Sequence, residues 1–414
     1  MSRYEEIIND LPPMLSGDNL YNDMKILPKY DPSITSKSQT ERLIALSDIY
    51  KIYIPFQMSY EIYSKLYLAL LRSLQKKCSN LVLEQQKANY DTIHYNSYSG
   101  GIIGGTDSFS ILGNSGIGKS ATINRCINIM TKTPVIEASN PYSKIIPCLL
   151  VQCPFDSSVK GLMLEILRKV DDIIGTKYYE HSLKNRATTD MLIGCVSQVA
   201  LNNIGLLIID EIQNVCNSKN GKILVGSITQ LVNNSGISTC FVGTPDCKDF
   251  FSKAPHLARR TIGLQYKQLS YDKEFIKLCE IIFEYQYMPS RIEINDPIIQ
   301  WFYNHSNGNI ANVISLFHDA QELGIINDEK SLCISLFKAV YDDRMEIVHT
   351  HSLSKEIKYG DSKKQKITYE RKNINIKTNN INETIRDIVD ESKQQDINIV
   401  KILKEKDLII EVRI

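Results

Sequence analysis

Residues 113–120 read GNSGIGKS, a glycine-rich turn ending in a lysine and a hydroxyl. The spacing fits the pattern G-x-x-x-x-G-K-[S/T], and each position suits a polyphosphate. Gly113, Gly116 and Gly118 lack a β-carbon, so the backbone can wrap with its amides aimed at phosphate oxygens. Asn114, Ser115 and Ile117 complete the loop, and Ala121 follows it. Lys119 is a point charge within reach of the β- and γ-phosphates, and Ser120 offers a hydroxyl to Mg²⁺. ATP with Mg²⁺ is the ligand these residue types call for.

A second acidic motif completes that chemistry. Residues 206–211 read LLIIDE, an apolar strand ending in two acids. Asp210, at the strand's end, can hold Mg²⁺. Glu211 can act as general base toward an attacking water. Residues 240–245 (CFVGTP) make the next strand and its end, which places Thr244 as a polar sensor between Glu211 and the γ-phosphate. Arg259 and Arg260 follow one short helix later. Such a pair can reach a γ-phosphate bound in a neighbouring subunit, as an arginine finger supplied in trans.

These groups need a scaffold of alternating strands and helices. A strand through Phe109, Ile111 and Leu112 should lead into the loop. A helix from about Lys119 should leave it, with its positive end on the phosphates. Strands follow at 145–153, 206–210 and 238–242, and helices at 159–174, 188–203 and 221–233. Leu206–Asp210 is apolar on both faces, as in a parallel sheet covered on both sides. The expected class is therefore α/β, a P-loop αβα sandwich with a parallel sheet. It comes with a small helical lid and N- and C-terminal extensions. The divisions are 1–100, an extension with a long amphipathic helix at 60–88; 101–265, the nucleotide-binding domain; 266–345, a lid of four helices; and 346–414, a Lys/Asn/Ile-rich tail. The first 40 residues read as loop, with Pro12, Pro13, Pro28 and Pro32. Residues 52–55 (IYIP) read as a short extended piece. The apolar stripe Ile62, Leu66, Leu70, Leu74 fits either core packing or a partner surface.

Composition narrows the class further. The chain has 414 residues, with 48 Lys+Arg against 47 Asp+Glu, so any DNA contact must come from a local patch rather than from overall charge. Ten cysteines are scattered without a C-x-x-C pair. Cys148 and Cys153 read as core thiols of a reducing compartment, with zinc as the alternative. The acidic start of the chain does not fit a secretory signal, and no stretch approaches a membrane span, so a cytoplasmic location is expected.

The order GNSGIGKS, CPFDSSVKGL, IGLLIIDEIQNV, QLVNNSGI, FVGTP, then ARR resembles the AAA+ ATPases of Tn7-type transposons, the TnsC and TniB proteins. The likeness covers roughly residues 50–325. The resemblance implies an ATP-dependent regulator of DNA transposition. Such proteins oligomerise with ATP on duplex DNA as rings or filaments and link a target-site selector to the transposase. Hydrolysis then disassembles them. Lys119 and Ser120 would bind phosphate and Mg²⁺, Asp210 and Glu211 would be the metal and base acids, and Thr244 sensor 1. Arg259 or Arg260 would be the finger. Lys160 and Lys177 would contact the DNA backbone without reading bases. Where many AAA+ proteins carry a sensor 2 arginine, this chain has 307–309 (NGN) leading into a helix, with Asn312 near that point. That departure implies slow hydrolysis. Two alternatives remain open from the sequence: an initiator- or loader-type AAA+ ATPase, and a nucleotide-bound scaffold that does not hydrolyse.

Overall fold

The computed structural model describes residues 3–79, 84, 107–139, 142–216, 221–248 and 263–345. The chain divides into two compact units, Met1–Lys355 and Glu356–Ile414, and every described residue lies in the first. The second falls in the tail expected at 346–414, outside the described residues, as do the glycine-rich lead at 98–106 and Arg259 and Arg260.

Six strands form one sheet: β1 (Ser108–Gly113), β2 (Ile136–Ala138), β3 (Ser143–Gln152), β4 (Ile204–Asp210), β5 (Ser238–Gly243) and β6 (Leu264–Tyr266). Their order is β2-β3-β4-β5-β1-β6. All neighbours run parallel except β2 and β3, a short antiparallel pair at one edge. The expected α/β class with a parallel sheet is what the chain adopts.

Helices cover both faces of that sheet. From the N-terminus they are α1 (Arg3–Asn9), α2 (Gly17–Met24), α3 (Gln39–Leu46), α4 (Gln57–Lys77) and α5 (Lys119–Met130). Next come α6 (Val159–Ile174), α7 (Tyr178–Lys184), α8 (Thr189–Asn203), α9 (Gln213–Cys216) and α10 (Gly221–Ser235). The last four are α11 (Lys273–Phe283), α12 (Asp296–Ser306), α13 (Ile310–Ile326) and α14 (Ile334–Val340). Alternation along β4 shows how the layers are specified. Leu207 and Ile209 pack with Leu162, Ile166, Val196 and Ile228 of α6, α8 and α10. Leu206 and Ile208 point the other way, into a cluster with Leu66, Leu70 and Ile123 of α4 and α5. Side chains alternate across a strand, so a strand covered on both sides must be apolar at every position.

The stripe on α4 is settled by the same packing. Ile62, Leu66, Leu70 and Leu74 are fully buried against the sheet, so they are core and not a partner surface. The helix is described to Lys77, short of the expected end at 88, and the Lys77 ammonium donates to the carbonyl of Ala200 at the end of α8 at 2.7 Å. The first 40 residues are also more ordered than expected. They hold α1, α2 and a 3₁₀ turn at Pro32–Ser36, and Ile7, Leu20 and Met24 enter the core. Pro32 is no obstacle there, because it occupies the first turn, where its missing N–H is not needed.

A third apolar cluster is all helical on one side. Phe275, Phe283, Phe302, Phe317 and Phe337 of α11 to α14 pack with Leu46, Ile49, Ile52, Ile54 and Phe56 from the segment before α4. The chain thus brings residues 46–56 alongside the helices at 273–340.

Candidate functional site

The loop at 113–120 bends as its glycines allow. Gly116 has φ +82° and Gly118 φ +91°, a region that side-chain-bearing residues rarely occupy. Gly118 precedes the first residue of α5, and a β-carbon built there would meet nothing within 4 Å. The loop's open side is thus free for a ligand, with the positive end of α5 behind it. Lys119 donates to the carbonyls of Gly113 and Asn114 at 2.7 and 2.8 Å. Burial lowers its pKa from the usual ammonium range, and Asp210 and Glu211 oppose that shift. A half-buried cation held against an open turn suits a polyanion.

The Ser120 hydroxyl donates to Asp210 Oδ2 at 2.8 Å, joining the loop to the end of β4. Asp210 is nearly buried, and its second oxygen accepts from the Glu211 amide at 2.8 Å. Glu211 itself turns through φ +58°, a strained conformation for a residue with a side chain. That turn lifts its carboxylate out of the strand, where the side-chain amide of Gln213 donates to it. Thr244 follows β5, and its hydroxyl oxygen is buried with no hydrogen-bond partner. The side-chain oxygen of Gln213 is in the same condition. Buried polar atoms without partners are few in folded proteins and often mark where a ligand completes the bonding.

One cavity of about 360 Å³ gathers these groups. Residues 115–122, Asp210, Glu211, Gln213 and Thr244 line it at one end; Ile52, Tyr53, Ile54, Phe56, Leu278, Ile310 and Ile314 line the rest. A polar, cationic end joined to an apolar slot matches a nucleotide in size and character. Tyr53 is fixed by hydrogen bonds of its hydroxyl to Ser59 and Thr122, both at 2.9 Å. The chain's residues therefore fit ATP, and Ser120 with Asp210 supply the oxygen donors Mg²⁺ prefers.

The structure places residues 113–120, Asp210, Glu211 and Thr244 close to one another. It also shows residues the motifs did not single out. Asn309 precedes α13 and donates from its side-chain amide to the Ser115 carbonyl at 2.8 Å. The Ala311 amide donates to the Gly116 carbonyl at 3.0 Å. The polar side chain that joins the start of α13 to the loop is thus Asn309, whose side-chain oxygen also accepts from the backbone amide of Asn312 at 3.3 Å. The apolar slot built from 52–56 was visible only as the IYIP run, and Gln213 only as a letter within DEIQN.

Lys160 and Lys177 are exposed. Lys160 lies in the first turn of α6 and Lys177 just past its last turn, so at 1.5 Å of rise per residue they stand roughly 20 Å apart and cannot share one phosphate. Cys148 and Cys153 form no metal cluster among the described residues. Burial pushes both thiols up to about 12. Among the described residues no helix is long and apolar enough to cross a membrane.

Comparison with known proteins adds a family. Residues 104–269 match the model of the bacterial TniB protein. No curated protein matches the chain. Among solved structures, the Aeropyrum pernix ORC1 protein in complex with DNA is similar at 10% identity and a TM-score of 0.42, over 67% of each chain. A Walker-type ATPase of Pyrococcus abyssi is similar at 10% identity and a TM-score of 0.42, over 66% of this chain and 75% of that one. Cdc6p from Pyrobaculum aerophilum is similar at 14% identity and a TM-score of 0.38, over 60% of this chain and 63% of that one. Likenesses at those scores carry no weight in assigning function. The family match spans the loop, β4 and β5, so residues 104–269 are similar to the bacterial TniB protein.

Proposed function

We propose that the protein is an ATP-hydrolysing regulator of DNA transposition that oligomerises on duplex DNA. The observation that carries this reading is one cavity that joins the glycine loop, Asp210, Glu211, Thr244 and an apolar slot, in a chain whose residues 104–269 match the TniB model. In this reading the loop amides and Lys119 hold the phosphates, while Ile52, Ile54 and Phe56 seat the base. Ser120 and Asp210 would hold Mg²⁺, which would supply charge neutralisation to the phosphates. Glu211 accepts the proton of a water that attacks the γ-phosphorus as the bond to the leaving ADP oxygen breaks. Gln213 orients that carboxylate, and Thr244 gives its unpartnered hydroxyl to the reacting phosphate or water.

Arg259 or Arg260, outside the described residues, would complete the site of a neighbouring copy. Hydrolysis would then need assembly and would end it. Lys160 and Lys177 each supply a weak backbone contact to DNA, and many copies in a ring or filament add them into useful avidity. The assembly would present itself to a target-site selector and to a transposase. The test is negative-stain microscopy of the Glu211→Gln variant with ATP, with and without duplex DNA. Rings or filaments that need both ligands support the reading. Monomers under every condition would remove the assembly and the trans arginine together.

A further inference from the structure

Glu211 lies in a turn that is gripped from outside the nucleotide cavity, and the grip is centred on Cys153. The Cys153 amide donates to the Asp210 carbonyl at 2.8 Å. Its carbonyl accepts from the side-chain amide of Asn214 at 3.0 Å. The peptide groups of Cys153 are therefore bonded to residues on both sides of Glu211. Asn214 is tied to Glu211 in turn, since its backbone amide donates to the Glu211 carbonyl at 3.0 Å. A last bond closes the circuit: the Ser157 hydroxyl donates to the Asn214 carbonyl at 2.6 Å.

Ser157 is an unusual residue to find at that place. It is fully buried and has φ +54°. A serine held in that region is strained unless its surroundings fix it. The bond to Asn214 and a turn bond from the Ser157 amide to the Pro154 carbonyl at 3.0 Å do so. The turn they close displays Phe155, which is 91% exposed. Two left-handed residues, Ser157 and Glu211, thus face each other through one asparagine.

We infer that Asn214 and Ser157 are positioning residues for Glu211, and that the turn at 154–158 and the catalytic turn at 211–214 move as one body. This rests on Glu211 being the base of an ATPase, as proposed above. Neither residue lines the nucleotide cavity. Their loss should therefore change turnover and leave nucleotide binding alone. The turn that carries Phe155 becomes the outer end of a mechanical link, so a contact made there is felt at Glu211.

Two near-isosteric changes test the link. Asn214→Asp keeps the shape but loses the donor to Cys153. Ser157→Gly accepts the positive φ but loses the hydroxyl. Each variant should lower kcat for ATP at least fivefold, with KM for ATP within twofold of the parent. The double variant should fall no further than the worse single one, because both cut the same circuit. A fall smaller than fivefold, or one that appears in KM, overturns the inference. A second readout does not need hydrolysis: hydrogen exchange of the nucleotide-free full chain. Asn214→Asp should raise exchange at 154–158, and Ser157→Gly should raise it at 211–214. Exchange that rises only on the mutated side also overturns the link. If the parent hydrolyses no ATP while the reciprocal exchange holds, the ATPase reading fails and the link stands.

Discussion

Ser120 and Asp210 are hydrogen-bonded at 2.8 Å across 90 positions of sequence. The bond fixes the start of α5 against the end of β4, where the proposed site would bring a nucleotide's phosphates and metal together. Replacing Ser120 by Ala leaves a nearly buried carboxylate short of one donor, at a cost of about 1–3 kcal/mol. Ser120→Thr keeps the hydroxyl and should keep most of that stability. Urea unfolding should separate the two variants, and only Ser120→Ala should lose Mg²⁺-dependent nucleotide affinity.

Lys119 should behave in opposite ways toward fold and ligand. Its lowered pKa means that burial disfavours the charged form. The folded pKa lies below the unfolded one, so the charged side chain opposes folding at neutral pH. That penalty fades as pH rises from the folded pKa toward the unfolded value. Lys119→Met should therefore raise the Tm of the nucleotide-free protein while abolishing the Tm increase that ATP gives the parent. A lower Tm without nucleotide would show that the bonds to Gly113 and Asn114 outweigh desolvation.

Thr244 has a buried hydroxyl without a partner, so removing it should not harm the resting fold. Thr244→Val should leave Tm unchanged or slightly raised. Its kcat should fall on the order of 10- to 100-fold if the hydroxyl serves the reacting groups. Equal losses in Tm and in kcat would mark Thr244 as a structural residue.

Asn309 has two separable roles. Its side-chain oxygen caps α13 by accepting from the Asn312 amide, and its amide donates to the Ser115 carbonyl. Asn309→Asp keeps the cap, loses the donor and adds negative charge beside the loop. Asn309→Ala loses both roles, with about 1 kcal/mol of stability from the cap. Calorimetric titration with ATP should show weaker binding for both and the larger loss for Asn309→Asp, although only Asn309→Ala should lower the Tm.

Much of the site was legible because its chemistry is local. A phosphate loop needs two glycines, a lysine and a hydroxyl at fixed spacing within eight residues, and two acids stand at the end of β4 and just past it. Those constraints leave a mark on a short string. The contact of Asn309 with the loop left none, because Asn309 and Ser115 are 194 residues apart and only tertiary packing joins them. Residues 52–55 were visible as an extended run, but the place of this segment in the cavity depends on helices more than 200 residues downstream. The grip of Ser157 on Asn214 was hidden for the same reason, since no local pattern asks for a serine with positive φ. The early helices were masked by prolines that in fact lie between them or at a first turn.

The most direct measurement is phosphate release from ATP by the parent and by Glu211→Gln, with nucleotide binding measured alongside. The account predicts Mg²⁺-dependent release by the parent. It also predicts that Glu211→Gln binds ATP as tightly as the parent while releasing phosphate at least 100-fold more slowly, in the range expected when a general base is lost. Release by Glu211→Gln at the parent's rate would contradict it.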